Sequence, residues 1–283
     1  DGELDMTPAA YSGPIGTDTR PAYIGGRSGT DYFDGCIDDV RLYGTALSAV
    51  EVMELDGKLL HWKLDESSGT VATDSSGSGR DGTVTGGAWT TGKIDGGLQL
   101  DGDDNIDRQD AENFLNDLDA VSVSVWVNAD AANVERGIFF GATPAGGDDN
   151  FGLRYDQDGW GGGGTSVIKA SINTTGGSNA IETTSGTQSS SWQHLVLVWQ
   201  SGSSLSLYID GQLAALSYDN GAVTGTISGI DQLLVGQGAK GEFWMGLIDD
   251  FKIFNRALHP DEIDQLYSSG FRGLRIIKWV EVK

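Results

Sequence analysis

The sequence predicts an all-β protein in which short antiparallel strands pack as a sandwich or a barrel. The first observation is composition, since 43 of 283 residues are glycine and eight are tryptophan, with frequent serine and threonine, as in strands joined by turns. The second is strict apolar–polar alternation over residues 121–127, which is the period of a half-buried strand. The third is a segment that occurs twice, which indicates a modular chain. At 283 residues the chain is also long enough to bury a hydrophobic core.

The repeated segment is residues 33–43, which match residues 244–254 at a constant offset of 211. Residues 23–25 match 234–236 at the same offset. Repeats decide where modules begin and end. We therefore expect residues 1–56 to be the C-terminal part of a preceding module and residues 57–270 to be a complete second copy.

The strands of the complete copy follow from alternation and from turn residues. Residues 59–64 alternate and are expected to form the first strand, followed by Asp-, Ser- and Gly-rich turns. A single helix is predicted over 259–267, where a proline and acidic residues mark a helix start. The remaining strands are predicted at 97–100, 121–127, 137–141, 151–155, 192–199, 205–211, 233–235 and 247–254.

The last segment, residues 271–283, differs from the rest because it is basic and strand-like on an acidic chain. One interpretation is a linker to another module. The other is that it pairs with an open sheet edge, its own or that of a neighbouring subunit, by strand addition.

Charge and composition exclude several classes of function. A net charge of −23 argues against nucleic-acid binding, which depends on clustered lysine and arginine. No run of about 18 apolar residues is present, so membrane insertion is not expected. The single cysteine, Cys36, forms no intrachain disulfide and is expected to be a small buried hydrophobic residue.

Several short motifs in a fixed order resemble a known family. They are 64–69, 74–82, 100–104, 123–127, 192–195, 207–211 and 246–258. Together they resemble a laminin-G-like domain of the concanavalin A-like jelly-roll superfamily, in the type found in secreted multidomain bacterial proteins. The resemblance implies two antiparallel sheets packed face to face with a short C-terminal helix, often a calcium ion, a binding role and an extracellular or cell-surface location.

Acidic residues supply candidate calcium ligands, because calcium takes six to eight oxygens from carboxylates, carbonyls and water. Asp74 lies in a glycine-rich turn, and Asp249 begins a strand that the resemblance places near the same loops. Asp103 and Asp104 form a further acidic cluster. The alternative is that these carboxylates cap turns by accepting backbone N–H bonds.

The sequence does not support an enzyme. Retaining glycosidases need two carboxylates about 5 Å apart, and no predicted strand carries alternating acids. The histidines are scattered, and His194 alternates with apolar residues, as a structural histidine does. No Ser-His-Asp or Cys-His set is evident.

Aromatic residues outside the alternating core positions are the candidates for stacking on sugar rings. They are Trp160 in the glycine-rich turn 157–164, Tyr155 and Trp89. For Trp160 a packing role is the alternative. The tryptophans expected in the core are Trp62, Trp126, Trp192 and Trp199.

Two functions of different classes follow. The first is a non-catalytic carbohydrate-binding module, organised by calcium, whose partner is a polysaccharide or glycan. The second is a structural or adhesive unit that joins a neighbouring protein subunit through the half-module and the C-terminal tail. The family resemblance favours the first, whereas the half-module and the tail favour the second.

Overall fold

Two antiparallel sheets packed face to face account for most of the computed structural model, which describes residues 23–26, 32–35, 57–143, 151–160 and 164–270. The predicted fold class, a concanavalin A-like jelly-roll sandwich with a short C-terminal helix, is confirmed. The strands are β1 (Lys58–Trp62), β2 (Val71–Ala72), β3 (Gly82–Thr85), β4 (Ala88–Ile94), β5 (Gly96–Asp101), β6 (Asn105–Arg108), β7 (Ala120–Ala129), β8 (Arg136–Ala142), β9 (Phe151–Asp158), β10 (Thr165–Thr174), β11 (Gly177–Thr183), β12 (Gln193–Gln200), β13 (Ser206–Ile209), β14 (Gln212–Leu213), β15 (Leu216–Asp219), β16 (Gln232–Val235) and β17 (Met245–Phe254).

The eight-stranded sheet has the order β14-β13-β12-β7-β17-β5-β4, with β1 also paired to β17. The nine-stranded sheet has the order β15-β11-β10-β9-β8-β16-β6-β3-β2. Neighbours in space are often far apart in sequence, as in β17 with β7 and β16 with β6. The chain therefore closes its sheets through long-range pairing, which a local pattern does not specify.

The core lies between the sheets and follows the alternation of the strands. Val121, Val123 and Val125 are buried against the facing sheet, and Trp62 stacks on Phe251 with ring centroids 5.7 Å apart. Each fully buried large side chain contributes roughly 1.5–3 kcal/mol from burial. Trp126 and Trp199 are also buried, as predicted, whereas Trp192, which directly precedes β12, is half-buried.

The two described helices are α1 (Glu112–Leu115) and α2 (Pro260–Ser269). A capping box starts α2. The His259 side chain accepts a hydrogen bond from the Asp261 N–H, and the Glu262 carboxylate accepts one from the His259 N–H. Ile263 of α2 packs with Val196 and Phe254 on the outer face of the eight-stranded sheet. The helix predicted over 259–267 is confirmed. Neither described helix is long and apolar enough to cross a bilayer.

The sequence prediction missed β10 and β11 of the nine-stranded sheet, as well as β2, β3, β4, β6, β14 and β15. The glycine, serine and asparagine at the start of β11 are typical of turns and give it a weak intrinsic preference for strand, whereas β10 contains strand-favouring valine and isoleucine. Both form because each has a hydrogen-bonded neighbour on either side. Tertiary pairing therefore overrides local propensity here.

One backbone hydrogen bond occurs in both segments of the sequence repeat. Phe33 N donates to Gly25 O at 2.9 Å, and Trp244 N donates to Gly236 O at 2.8 Å, at the same offset of 211. The side chain of Phe33 is 60% exposed, whereas that of Trp244 is fully buried. The rest of residues 1–56, including Cys36, and the tail 271–283 lie outside the described residues.

Candidate functional site

A depression on the outer face of the nine-stranded sheet is formed by strands β8, β9 and β10. Because Phe151, Leu153 and Tyr155 of β9 point into the core, the alternate residues Gly152 and Arg154 face outward. The depression measures about 270 Å³, counting the open space at its mouth. Its outer lining is Phe140, Gly152, Arg154, Trp160, Lys169, Ser171 and Gly238.

Four charged side chains on β9, β10 and β11 form a buried network at one end of the depression. Lys169 Nζ lies 2.9 Å from Asp156 Oδ2 and 4.0 Å from Glu182 Oε2. Arg154 Nε lies 3.2 Å from the same Asp156 oxygen. All four residues are at most 8% exposed, which is unusual for charged groups and requires that they be paired.

Trp160 lies across this network. The Lys169 ammonium is 4.8 Å from the centre of the Trp160 ring, a cation–π contact. The backbone N–H of Trp160 donates to Glu182 Oε2, and Ser217 Oγ donates to Glu182 Oε1 at 2.8 Å. Glu182 of β11 thus links the Trp160 backbone to Ser217 of β15. The position of the half-buried indole is therefore set by the sheet.

Tyr218 on edge strand β15 completes an aromatic pair with Trp160. The two rings meet edge to face with centroids 5.0 Å apart, and Tyr218 is 40% exposed. Sequence reasoning missed Tyr218, because nothing local links β15 to the Trp160 turn. It also missed the charged network, although charged residues alternating with Phe151, Leu153 and Tyr155 were a readable signal of an outward face.

Two other aromatic candidates lie elsewhere. Tyr155 is fully buried, its hydroxyl donates to Gln193 and its ring meets Trp244 edge to face in the core. The expectation that Tyr155 faces a ligand is therefore corrected, because alternation on β9 turns it inward. Trp89 is half-buried on β4, in the other sheet, and donates its Nε1–H to Gly69 O at 2.8 Å.

Asp74 is occupied by its own turn. Its carboxylate accepts four hydrogen bonds, from the N–H groups of His61, Ser76 and Arg80 and from the Ser76 hydroxyl, at 2.8–3.0 Å. Asp74 therefore staples the turn to β1 in the way that the capping alternative predicted, and its oxygens are already engaged.

Asp249 has a different environment. It is fully buried, and its Oδ2 accepts from the N–H groups of Lys93 and Ile94 at 2.8 Å each. Its Oδ1 has no hydrogen-bond partner among the described residues. Burial, with a smaller contribution from the negative charge of Asp250, raises the pKa of Asp249 to about 7, although the hydrogen bonds from the Ile94 and Lys93 N–H groups oppose this rise. A buried carboxylate oxygen without a partner is costly unless a cation or proton satisfies it.

Asp103 and Asp104 lie with Asp101 in the β5–β6 turn, with carboxylate oxygens within 4.8 Å of one another. A hydrogen bond that protonated Asp101 donates to Asp103, followed by the charge of Asp104, raises the pKa of Asp101. Asp101 and Asp103 are exposed to solvent, whereas Asp104 accepts from the Asp101 N–H at 2.9 Å. The chain therefore brings these acids together, and Asp104 also acts as a turn cap.

The outer face of the eight-stranded sheet holds a Ser–His pair. Ser124 Oγ lies 2.9 Å from His194 Nε2, and both residues are at most 1% exposed. His194 Nδ1 has no hydrogen-bond partner among the described residues, so no carboxylate orients the ring. A sealed pair without a third member does not have the arrangement of a hydrolytic triad, and the predicted structural role of His194 agrees with this geometry.

Comparison with solved structures identifies the same sandwich. Domain 4 of AbnA, a GH43 extracellular arabinanase from Geobacillus stearothermophilus, in complex with arabinotriose, matches at a TM-score of 0.53 and 23% identity. The match covers 74% of this chain and 98% of that domain. At these identities the likeness shows the fold. No curated protein matches the chain in sequence.

Toxin domains share the fold over a smaller share of their length. The binding domain of Paraclostridial Mosquitocidal Protein 1 matches at a TM-score of 0.58 and 15% identity, over 76% of this chain and 53% of that one. The botulinum neurotoxin serotype D ligand binding domain in complex with N-acetylneuraminic acid matches at a TM-score of 0.55 and 17% identity. This match covers 78% of this chain and 52% of that one. The chain thus spans about half the length of these toxin domains.

A family model extends the match to sequence. The model of the Laminin_G_3 family, described as the concanavalin A-like lectin/glucanases superfamily, matches residues 1–53 and 100–264. These ranges contain the depression, the Trp160 turn and the Asp249 strand. The chain belongs to the laminin-G-like family of the concanavalin A-like lectin/glucanase superfamily.

Proposed function

We propose that the chain is a non-catalytic carbohydrate-binding module of a secreted or cell-surface protein, and that it binds a glycan at the depression beside Trp160. The observation that carries the proposal is an aromatic pair, Trp160 and Tyr218, placed beside a concave surface with a few polar groups. Binding sites for small molecules combine these features, and aromatic faces provide apolar area beside polar groups.

The bound sugar would contact an aromatic surface whose position is fixed before binding. Glu182 accepts from the Trp160 backbone N–H and the Lys169 ammonium contacts the Trp160 ring, so little ordering of Trp160 accompanies ligand entry. Gly152 leaves the floor open, because it presents no side chain between Phe140 and Ser171. Similar structures in complex with arabinotriose and with N-acetylneuraminic acid support a sugar ligand, and their extracellular enzyme and toxin contexts support secretion.

The charged network supports a binding role rather than hydrolysis. Asp156 and Glu182 lie on one face, but the Lys169 ammonium stands between them and pairs with Asp156. A glycosidase needs two carboxylates that face the scissile bond, one of which donates a proton. Carboxylates buried against a shared lysine do not have this freedom.

The decisive experiment compares two half-buried tryptophans. Isothermal titration with arabinan, xylan, galactan and cello-oligosaccharides identifies a ligand, and Trp160→Ala is expected to raise its Kd about tenfold or more, equivalent to ~1.4 kcal/mol. Trp89→Ala, in the other sheet, is the matched control and is expected to leave Kd unchanged. Unchanged affinity in Trp160→Ala, or equal losses in both variants, would contradict the proposed site.

Calcium is proposed as a structural ion at Asp249. Asp249 would supply one ligand, because its unpartnered Oδ1 is a hard oxygen, and Asp65 adds negative charge nearby. The ion would supply positive charge that offsets the burial of Asp249 and would join β17 to the β4–β5 turn. Asp74 does not fit as well, since its oxygens already accept four hydrogen bonds.

Thermal unfolding with calcium and with chelator tests this assignment. We expect calcium to raise the melting temperature of the wild type, and Asp249→Asn to remove that increase. Asp103→Asn, in the exposed acidic cluster, is the control that retains it. A calcium response that persists in Asp249→Asn and disappears in Asp103→Asn would assign the ion to the β5–β6 turn instead. Absence of a response in the wild type would contradict the proposal that the protein binds calcium.

A second candidate function is assembly with another protein subunit. Ile24 and Phe33 are 67% and 60% exposed, whereas their counterparts Val235 and Trp244 are fully buried. Exposed apolar side chains at positions that form a core in the other copy are typical of an interface. Light scattering tests this, because Phe33→Ser is expected to reduce a concentration-dependent oligomer. A monomer at all concentrations would contradict it.

A further inference from the structure

We propose that the depression beside Trp160 selects uncharged oligosaccharides over anionic ones. This inference rests on the proposed function and names the ligand class of the same site. The comparisons leave the class open, because one similar structure holds arabinotriose, which is uncharged, and another holds N-acetylneuraminic acid, which carries a carboxylate. The local charges of this chain decide between them.

The two cations of the depression are balanced by two anions. Lys169 and Arg154 carry two positive charges, and Asp156 and Glu182 carry two negative charges within 4.0 Å of Lys169 or Arg154. The network is therefore neutral as a whole. A site for an anionic sugar needs a cation that is not already paired, since recognition of carboxylates relies on charge-assisted bonds from arginine or lysine.

The donor hydrogens of Lys169 are also used inside the protein. Its Nζ donates to the Asp158 carbonyl at 2.6 Å and pairs with Asp156 at 2.9 Å, and the Trp160 ring covers it at 4.8 Å. An anionic ligand would have to draw Lys169 away from these partners and leave a buried carboxylate unpaired. Breaking a buried ion pair in this way is strongly unfavourable.

An uncharged sugar makes no such demand. Its hydroxyl groups both donate and accept, so they can bond to ion-paired groups without changing the charge balance. The field of the whole chain acts in the same direction, because a net charge of −23 repels anions, although salt screens this effect beyond about 8 Å at physiological ionic strength.

The test uses the full chain and pairs of ligands in which one member is uncharged and the other carries a carboxylate. The pairs are galactan and polygalacturonan oligosaccharides, xylan oligosaccharides with and without glucuronic acid, and lactose and sialyllactose. Titrations at low salt are expected to show tighter binding of the uncharged member, by about tenfold or more in Kd, with loss of binding in Trp160→Ala.

Each outcome separates the inference from the function it rests on. Tighter, Trp160-dependent binding of an anionic member would overturn the inference and leave the carbohydrate-binding function standing. Absence of binding to every glycan would overturn the function and the inference together. Binding of uncharged sugars that Trp160→Ala leaves intact would overturn the site and therefore the inference.

A charge variant gives a second measurement. Asp156→Asn leaves one positive charge unbalanced, so we expect the preference to shift toward the anionic member of each pair by several-fold. Circular dichroism checks folding, and Glu182→Gln replaces Asp156→Asn if the latter does not fold. A folded variant whose preference does not shift would contradict the charge argument.

Discussion

Acidification is expected to destabilise the protein through His194. The ring is 1% exposed, and its Nδ1 has no hydrogen-bond partner among the described residues. Burial, followed by the positive charge of Lys252, lowers the pKa of His194 to about 3, although the charge of Asp250 opposes this. Between about pH 3 and pH 6.5 the imidazole is therefore neutral in the folded protein and charged in the unfolded chain.

The sign and size follow from proton linkage. Below the unfolded pKa of 6.5 the unfolded chain binds a proton that the folded protein excludes, so stability falls as pH falls from 6.5 toward about 3. One excluded proton changes the free energy of unfolding by ~1.4 kcal/mol per pH unit. Two pH units below 6.5 should therefore cost about 2–3 kcal/mol from this residue alone.

Urea unfolding followed by tryptophan fluorescence measures the effect. Other buried acids also titrate, so the informative quantity is the difference between wild type and His194→Gln at each pH. Glutamine retains the reach to Ser124 but does not titrate, and a measurement at neutral pH supplies the packing offset. If wild type and His194→Gln lose stability in parallel from pH 6.5 to 4.5, the reasoning about His194 is refuted.

Three further substitutions test the packing and the site. Tyr155→Phe removes the hydroxyl that donates to Gln193, so it is expected to lower the free energy of unfolding by ~1–3 kcal/mol in urea titrations. The Kd of the ligand should stay constant, and a changed Kd would indicate that Tyr155 contributes to binding. Gly82→Ala places a Cβ 2.5 Å from Ile106 and 2.7 Å from Trp62, and overpacking of this kind costs ~1–3 kcal/mol, so an unchanged urea midpoint would contradict the close contact. Tyr218→Ala removes the edge-to-face partner of Trp160 on an exposed strand, so titration should show weaker glycan binding with stability within about 0.5 kcal/mol; unchanged binding would limit the site to Trp160.

Local pattern was sufficient for much of the fold. Alternation over residues 121–127 predicted β7, and the proline and acidic residues after His259 predicted α2. It was not sufficient for β11, which begins with glycine, serine and asparagine, as turns do, and which forms because β10 and β15 pair with it on either side. A strand of weak propensity gains its stability from its neighbours, and the identity of those neighbours is a long-range property.

The candidate site divides in the same way. The sequence by itself determined that Trp160 stands outside the alternating core and that Asp249 belongs to a strand, since both follow from position in a local pattern. The structure places Asp249 in the middle of β17 rather than at its start. Only the tertiary structure decided that Tyr218 meets Trp160, that Lys169 joins Asp156 to Glu182, and that Tyr155 turns inward. These contacts cross strands separated by up to about 60 residues, and sheet register sets them; a shift of one residue would exchange the buried and outward faces.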